Sequence, residues 1–141
     1  RRGFEFVTRK ISSGAAKIKK GLQKKLKLGN IKSMRDWGHA KDYVEAMWLM
    51  LQQNNPGDYV IGTGQQYSVE DFAKKAFAHV GLNYKDHIVL DKNLTRPAEV
   101  DTLIADCTKA KKILKWKSKI EFDDLVISMV EHDLEEQTKN L

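Results

Sequence analysis

A mixed α/β fold, rich in helix and poor in strand, is predicted by two features of this 141-residue sequence. Apolar residues recur at three- and four-residue steps over several long segments, the spacing of one helix face. Between those segments lie short apolar runs bounded by Gly, Asn or Pro, which read as short strands and turns.

The first helix is expected from about Thr8 to Leu22, with Val7, Ile11, Ala15, Ile18 and Leu22 on its inner face. Lys24–Leu28 alternates basic and apolar residues like a half-buried strand, and Gly29-Asn30 closes it. Ser33–His39 follows neither period and reads as a loop. A second helix spans about Ala40–Gln53, with Val44, Met47, Trp48 and Leu51 on one side and Asp42 near the positive end of its dipole. Asn54-Asn55-Pro56-Gly57 ends it, Tyr59–Ile61 reads as a short buried strand, and Gly62-Thr63-Gly64 as the turn beyond. Ser68 stands three residues before Asp71, a capping box for a helix carrying Phe72, Ala76 and Val80 that Gly81 terminates. His87–Leu90 predicts another strand. Two more helices follow, about Thr108–Leu114 and Phe122–Lys139, the latter with Leu125, Val126, Met129, Val130 and Leu134 inward.

The length suits one domain, and no linker or repeat divides the chain. No apolar run approaches the roughly 18 residues of a membrane helix, so no membrane partner is expected. Cys107 stands alone, which excludes an intramolecular disulfide and a CxxC zinc cluster and predicts a reducing, cytoplasmic setting. His39, His79, His87 and His132 form neither an i, i+4 pair nor an HExxH motif, so no metal is expected. There is no GxSxG elbow, and the lone GxG at 62–64 lacks a third glycine and a βαβ setting. The opening Arg1-Arg2-Gly3, without an initiator methionine, predicts that sequence precedes it.

The net charge of +6 permits nucleic acid, an acidic surface or a phosphorylated small molecule as partner. Basic residues crowd the first 35 positions, mostly as solvated faces. Lys17–Lys27 carries no aromatic to stack on a base, which argues against nucleic acid. Arg35 and Arg96 are expected in loops, where planar guanidinium forks are free to hold a diphosphate, and Glu99 would suit ribose hydroxyls. Equally, Arg35 could pair with Asp36 or Asp42, and Arg96 with Asp101 or Glu99. With no catalytic constellation, the residues describe a binding domain; an anion-binding module and a non-catalytic interaction domain are the alternatives.

Several motifs go further. Arg1-Arg2-Gly3, Phe6-Val7-Thr8-Arg9-Lys10-Ile11, Leu28-Gly29-Asn30 and the run Arg35-Asp36-Trp37-Gly38-His39-Ala40-Lys41-Asp42-Tyr43-Val44-Glu45-Ala46 resemble the second half of GDP-mannose 4,6-dehydratases. Arg96-Pro97-Ala98-Glu99-Val100-Asp101 and Asp106-Cys107-Thr108-Lys109-Ala110 follow in the family's order. The resemblance implies a small helix-rich C-terminal substrate-binding domain, residues 1–141, whose N-terminal Rossmann domain, the binder of NADP, lies outside this sequence. It implies conversion of GDP-mannose to GDP-4-keto-6-deoxymannose and water in GDP-fucose biosynthesis, by a homo-oligomer when full-length. The family's Thr or Ser, Glu and Tyr-x-x-x-Lys would all lie upstream, so this chain alone is expected to be inactive. Arg2 resembles a cofactor contact. Lys10, Arg35, Arg96 and Glu99 resemble residues that hold GDP, and Val7 and Gly29 would line its pocket, although packing or turn geometry explains those two equally. Glu5 stands where the family usually has asparagine, Leu94 where an aromatic is common and Ala105 where glycine is common. A carboxylate at Glu5 would repel a diphosphate unless it points away.

Overall fold

The computed structural model describes residues 3–95, 98 and 100–139. Five helices carry the architecture: α1 (Val7–Lys19), α2 (Ala40–Leu51), α3 (Val69–His79), α4 (Thr108–Ile113) and α5 (Phe122–Lys139). Four strands lie between them: β1 (Leu26–Leu28), β2 (Met34–Arg35), β3 (Tyr67–Ser68) and β4 (Ile88–Leu90). β1 and β4 pair in parallel, Leu26 opposite Ile88 and Leu28 opposite Leu90. β2 and β3 pair antiparallel, Met34 opposite Ser68 and Arg35 opposite Tyr67. On the other side of β2, the Met34 amide donates to the Asp101 carbonyl at 2.7 Å.

Helix ends follow local chemistry. α1 stops at Lys19, short of Leu22, because Gly21 takes φ 75° and the Gly21 and Leu22 amides turn back to the carbonyls of Ile18 and Lys17. α3 closes the same way at Gly81, φ 73°, through Leu82 and Phe77. A left-handed residue in this closure strains any side chain, which accounts for glycine at both positions. At the start of α3, Ser68 and Asp71 form the expected capping box.

The main core lies among α1, α3 and α5, where Ile11, Phe72, Ala76, Phe77, Val126 and Val130 are fully buried. One ion pair crosses it. Arg9 Nη2 lies 2.8 Å from Asp133 Oδ1, and Ser12 Oγ donates to Asp133 Oδ2 at 2.5 Å, so α1 and α5 are joined by charge inside the apolar contact. Arg9, read from sequence as one more solvated cation, is buried.

A smaller core joins α2 and α4 through Ala46, Ala110, Leu114 and Trp116. It turns α2 away from the expected orientation. Val44, Met47, Trp48 and Leu51 are 59–82% exposed, while Asp42 and Ala46 are buried. A helical period identifies an apolar face without naming what covers it. Two other expectations change for a related reason. Tyr59–Ile61 forms no strand, since no described segment pairs with it, and the loop at Ser33–His39 contains β2, because β3 and residues 101–103 flank it.

Asp42 anchors the loop before α5. Its carboxylate accepts from the Ser118 hydroxyl and the Lys119 and Ile120 amides at 2.9–3.0 Å, and its carbonyl accepts from the Trp116 indole at 2.9 Å. Burial alone would raise its pKa, but these donors together outweigh burial and hold it below the ordinary carboxylate value.

Two outcomes are expected in urea unfolding of the full-length protein. Asp133→Ala, which strands Arg9 as a buried charge, costs about 3–5 kcal/mol, and the double change Arg9→Met/Asp133→Leu costs less than that single change. Asp42→Asn costs about 2 kcal/mol near neutral pH. Because Asp42 is depressed in the fold, its contribution is present above the unfolded pKa and is lost as pH falls through the folded value. The gap between wild type and Asp42→Asn therefore closes as pH falls from the ordinary carboxylate range through the lower folded value.

Candidate functional site

Four parts of the chain, residues 5–10, 28–35, 69 and 94, meet at a cavity of about 260 Å3. The first turn of α1 supplies Val7 and Lys10, three residues apart and so on one helix face. The turn after β1 supplies Leu28, Gly29 and Asn30. Ser33 and Arg35, two residues apart along an extended segment, line it from a third side. Of the residues expected to bind ligand, Val7, Lys10, Gly29 and Arg35 are thus brought together. Arg2, Arg96 and Glu99 lie outside the described residues.

Arg35 is half-buried, and its Nη1 donates to the carbonyl of Met34 at 2.7 Å. The carboxylates proposed as its competing partners are committed elsewhere. Asp36 accepts from the Thr63 amide at 2.9 Å, the Thr63 hydroxyl at 2.6 Å, the Gly64 amide at 2.9 Å and the Ala105 amide at 3.3 Å. Asp42 holds the loop before α5. Lys10 makes no ion pair among the described residues, whereas Lys32, outside the cavity, pairs with Glu70 at 2.5 Å. Glu70, held by Lys32 and by the Tyr84 hydroxyl, titrates below the usual carboxylate range.

Glu5 also lines the cavity, with its carboxylate folded back over Gly3. Among the described residues, Lys10, Arg35 and Glu5 are the charged side chains that line the cavity. Gly29 has a steric role besides lining it: a Cβ there would lie 2.5 Å from the carbonyl oxygen of Leu94 and 3.2 Å from the amide nitrogen of Thr95. Leu94 and Thr95 pass against this turn only because the side chain is missing. Gly29 therefore both packs against Leu94 and lines this cavity.

Ser33 had no sequence signal. Its hydroxyl is buried on the cavity wall and has no hydrogen-bond partner among the described residues. A buried hydroxyl without a partner costs free energy unless something satisfies it. The i, i+2 step from Arg35 was the one clue available, and it required knowing that the segment is extended.

Elsewhere, chemistry is limited. The Thr63 and Gly64 amides already grip the Asp36 carboxylate, so these two donors are committed to a side chain of the fold and not to a phosphate. Cys107 is buried, its thiol donates to the Gly62 carbonyl at 3.2 Å, and burial pushes its pKa up, which disfavours a nucleophilic thiolate.

The architecture has close counterparts. An RMD from Pseudomonas aeruginosa complexed with NADPH superposes with a TM-score of 0.86 at 20% identity, over 96% of this chain and 44% of that one. A dTDP-glucose 4,6-dehydratase from Bacillus anthracis in complex with NAD gives 0.79 at 20% identity, over 99% and 41%. The chain thus shares its fold with a part, about two fifths, of each of those proteins. The family model for GDP-mannose 4,6 dehydratase matches residues 1–129. GDP-mannose 4,6 dehydratase 1 of Arabidopsis thaliana is 56% identical over 135 residues, 96% of this chain and 37% of that protein. The Homo sapiens GDP-mannose 4,6 dehydratase is 49% identical over 152 aligned positions, 96% and 41%. The chain belongs to the GDP-mannose 4,6-dehydratase family, and it spans about two fifths of the length of these relatives.

Gly29→Ala is expected to lower unfolding free energy by about 1–3 kcal/mol, since the contact it meets is backbone and not a flexible side chain. Hydrogen exchange localises the effect. The Asp91 amide, which donates to the Leu28 carbonyl at 2.8 Å, and the Leu94 amide exchange faster in the variant, while the amides of α5 keep their order of protection.

Proposed function

We propose that this chain is the C-terminal, GDP-sugar-binding part of a GDP-mannose 4,6-dehydratase, a lyase that converts GDP-mannose to GDP-4-keto-6-deoxymannose and water. The supporting observation is the convergence of Val7, Lys10, Gly29 and Arg35 on one cavity, although up to 28 positions separate them. Arg35 and Lys10 supply charge for the diphosphate, and Ser33 a buried hydroxyl for a polar group further along the ligand. Arg96 and Glu99 are assigned to the same GDP moiety from the sequence resemblance. Glu5 weakens the positive field at the rim.

Catalysis requires groups that this chain lacks. Tyr43 has Met47 four residues on, not lysine, and its pKa is raised by burial, opposite to what a catalytic base requires. The acid-base residues and the NADP-binding Rossmann domain belong to the remainder of the polypeptide, which would use Arg2 as a supporting contact from this part. NADP supplies the transient oxidation when bound; this chain holds and orients the sugar nucleotide. The exposed face of α2 and the unpaired Tyr59–Ile61 offer apolar surface and backbone donors for that remainder to cover. Homo-oligomerisation and a cytoplasmic location complete the proposal.

In the full-length protein, Arg35→Ala is expected to weaken GDP binding by about 10- to 100-fold, the loss of one to two charge-assisted hydrogen bonds, and GMP binding by less. Isothermal titration with both nucleotides measures it. Equal, undiminished GDP affinity in Arg35→Ala and wild type would remove the assignment, whereas the isolated 141-residue chain should give no turnover whatever its affinity.

A further inference from the structure

A second and larger cavity, about 460 Å3, lies between the turn at residues 63–67 and the loop that precedes α5, and shares no lining residue with the first. Its volume falls in the range of small-molecule sites. Both walls are pinned. Asp36 holds the turn through Thr63 and Gly64, and Asp42 holds the loop through Ser118, Lys119 and Ile120. Preorganised walls spare a ligand the cost of ordering them.

The lining combines flat rings with unmatched positive charge. Tyr67 and Phe122 stack with centroids 3.8 Å apart at 6°, and Trp37 lies nearly parallel to Phe122 at 6.2 Å and 17°. Trp37 and Tyr67, half-buried, keep part of their surface open to the cavity. Lys111, Lys115 and Lys117 also line it, and none makes an ion pair among the described residues. Their neighbours show that the chain does neutralise lysines where it has carboxylates nearby: Lys119 pairs with Glu45 at 2.6 Å. Glu121 is the one carboxylate in the lining. Lys115 is held at φ 54°, a conformation rarely adopted by residues with a side chain, between Leu114 and Trp116, which are both buried.

We propose that this cavity is a second ligand site, for a phosphorylated planar ring of the nucleoside monophosphate class. The ring extends the parallel stack on Trp37 and Tyr67, and the phosphate meets Lys111, Lys115 and Lys117. Aromatic stacking and lysine pairing act on opposite ends of such a ligand, so neither a bare phosphate nor an uncharged ring gains both. The site does not depend on what the smaller cavity binds.

The test uses the full-length protein labelled with 5-fluorotryptophan, with GDP and NADP at saturation to fill other nucleotide sites, titrated with uridine monophosphate and followed by fluorine NMR. Saturable shifts of the Trp37 and Trp116 resonances, with Trp48 unmoved, are expected. Lys111→Gln/Lys115→Gln/Lys117→Gln raises the midpoint about tenfold or more without changing GDP affinity. Arg35→Ala leaves the uridine monophosphate titration in place while weakening GDP, so failure at one cavity is told apart from failure at the other. Absence of a saturable shift, or a midpoint that the triple variant leaves unchanged, overturns the proposal.

Discussion

The carboxylate of Asp36 is the constraint from which most of the functional geometry follows. Four donors from Thr63, Gly64 and Ala105 converge on it, so three segments far apart in sequence are tied at one point. Its neighbours are placed as a consequence: Arg35 lines the smaller cavity and Trp37 the larger. The crowding is tight enough that Gly62 has no room for a side chain between Asp36 and Ala105. A carboxylate used this way is unavailable to Arg35. The Arg35 guanidinium instead donates to the backbone carbonyl of Met34 and lines the smaller cavity.

Asp42 repeats the arrangement one helix later, and the pair of carboxylates does much of what longer strands would do in a larger sheet. Strands of two or three residues form few ladder hydrogen bonds, so side-chain acceptors take up the amides of the connecting turns. The Arg9–Asp133 contact serves the other half of the molecule, fixing α1 against α5 and thereby the position of Lys10 on the first turn. Buried charge of this kind contributes little net stability when intact and is costly to break. Its value here is in register, because a slip of either helix would strand an ion.

The apolar face of α2 and the unpaired stretch at 59–61 are best understood together. Both have the sequence pattern of buried elements; among the described residues the α2 face stays exposed, and 59–61 packs Tyr59 and Ile61 against the smaller core without pairing as a strand. Local pattern encodes the chemistry of a face, whereas burial depends on what else is folded against it. In relatives about two and a half times as long, there is more chain available to do so.

By itself the sequence determined the helices, since their periods, the Ser68–Asp71 cap and Gly81 are interactions within a few residues. It also carried the family, through motifs matched along the chain. For the site it supplied Val7, Lys10, Gly29 and Arg35 as candidates, but with packing, turn geometry and Asp36 or Asp42 pairing as alternatives. Only the tertiary structure placed the four on one cavity and engaged Asp36 and Asp42 elsewhere, because that placement depends on contacts spanning tens of residues. Strand β2 exists through pairing with β3, Gly29 matters through Leu94, Ser33 is a buried hydroxyl only once α3 is docked, and Asp36 turns a GxG into a carboxylate cradle. Short-range interactions are written in neighbouring letters; long-range ones acquire their partners only when the chain closes on itself.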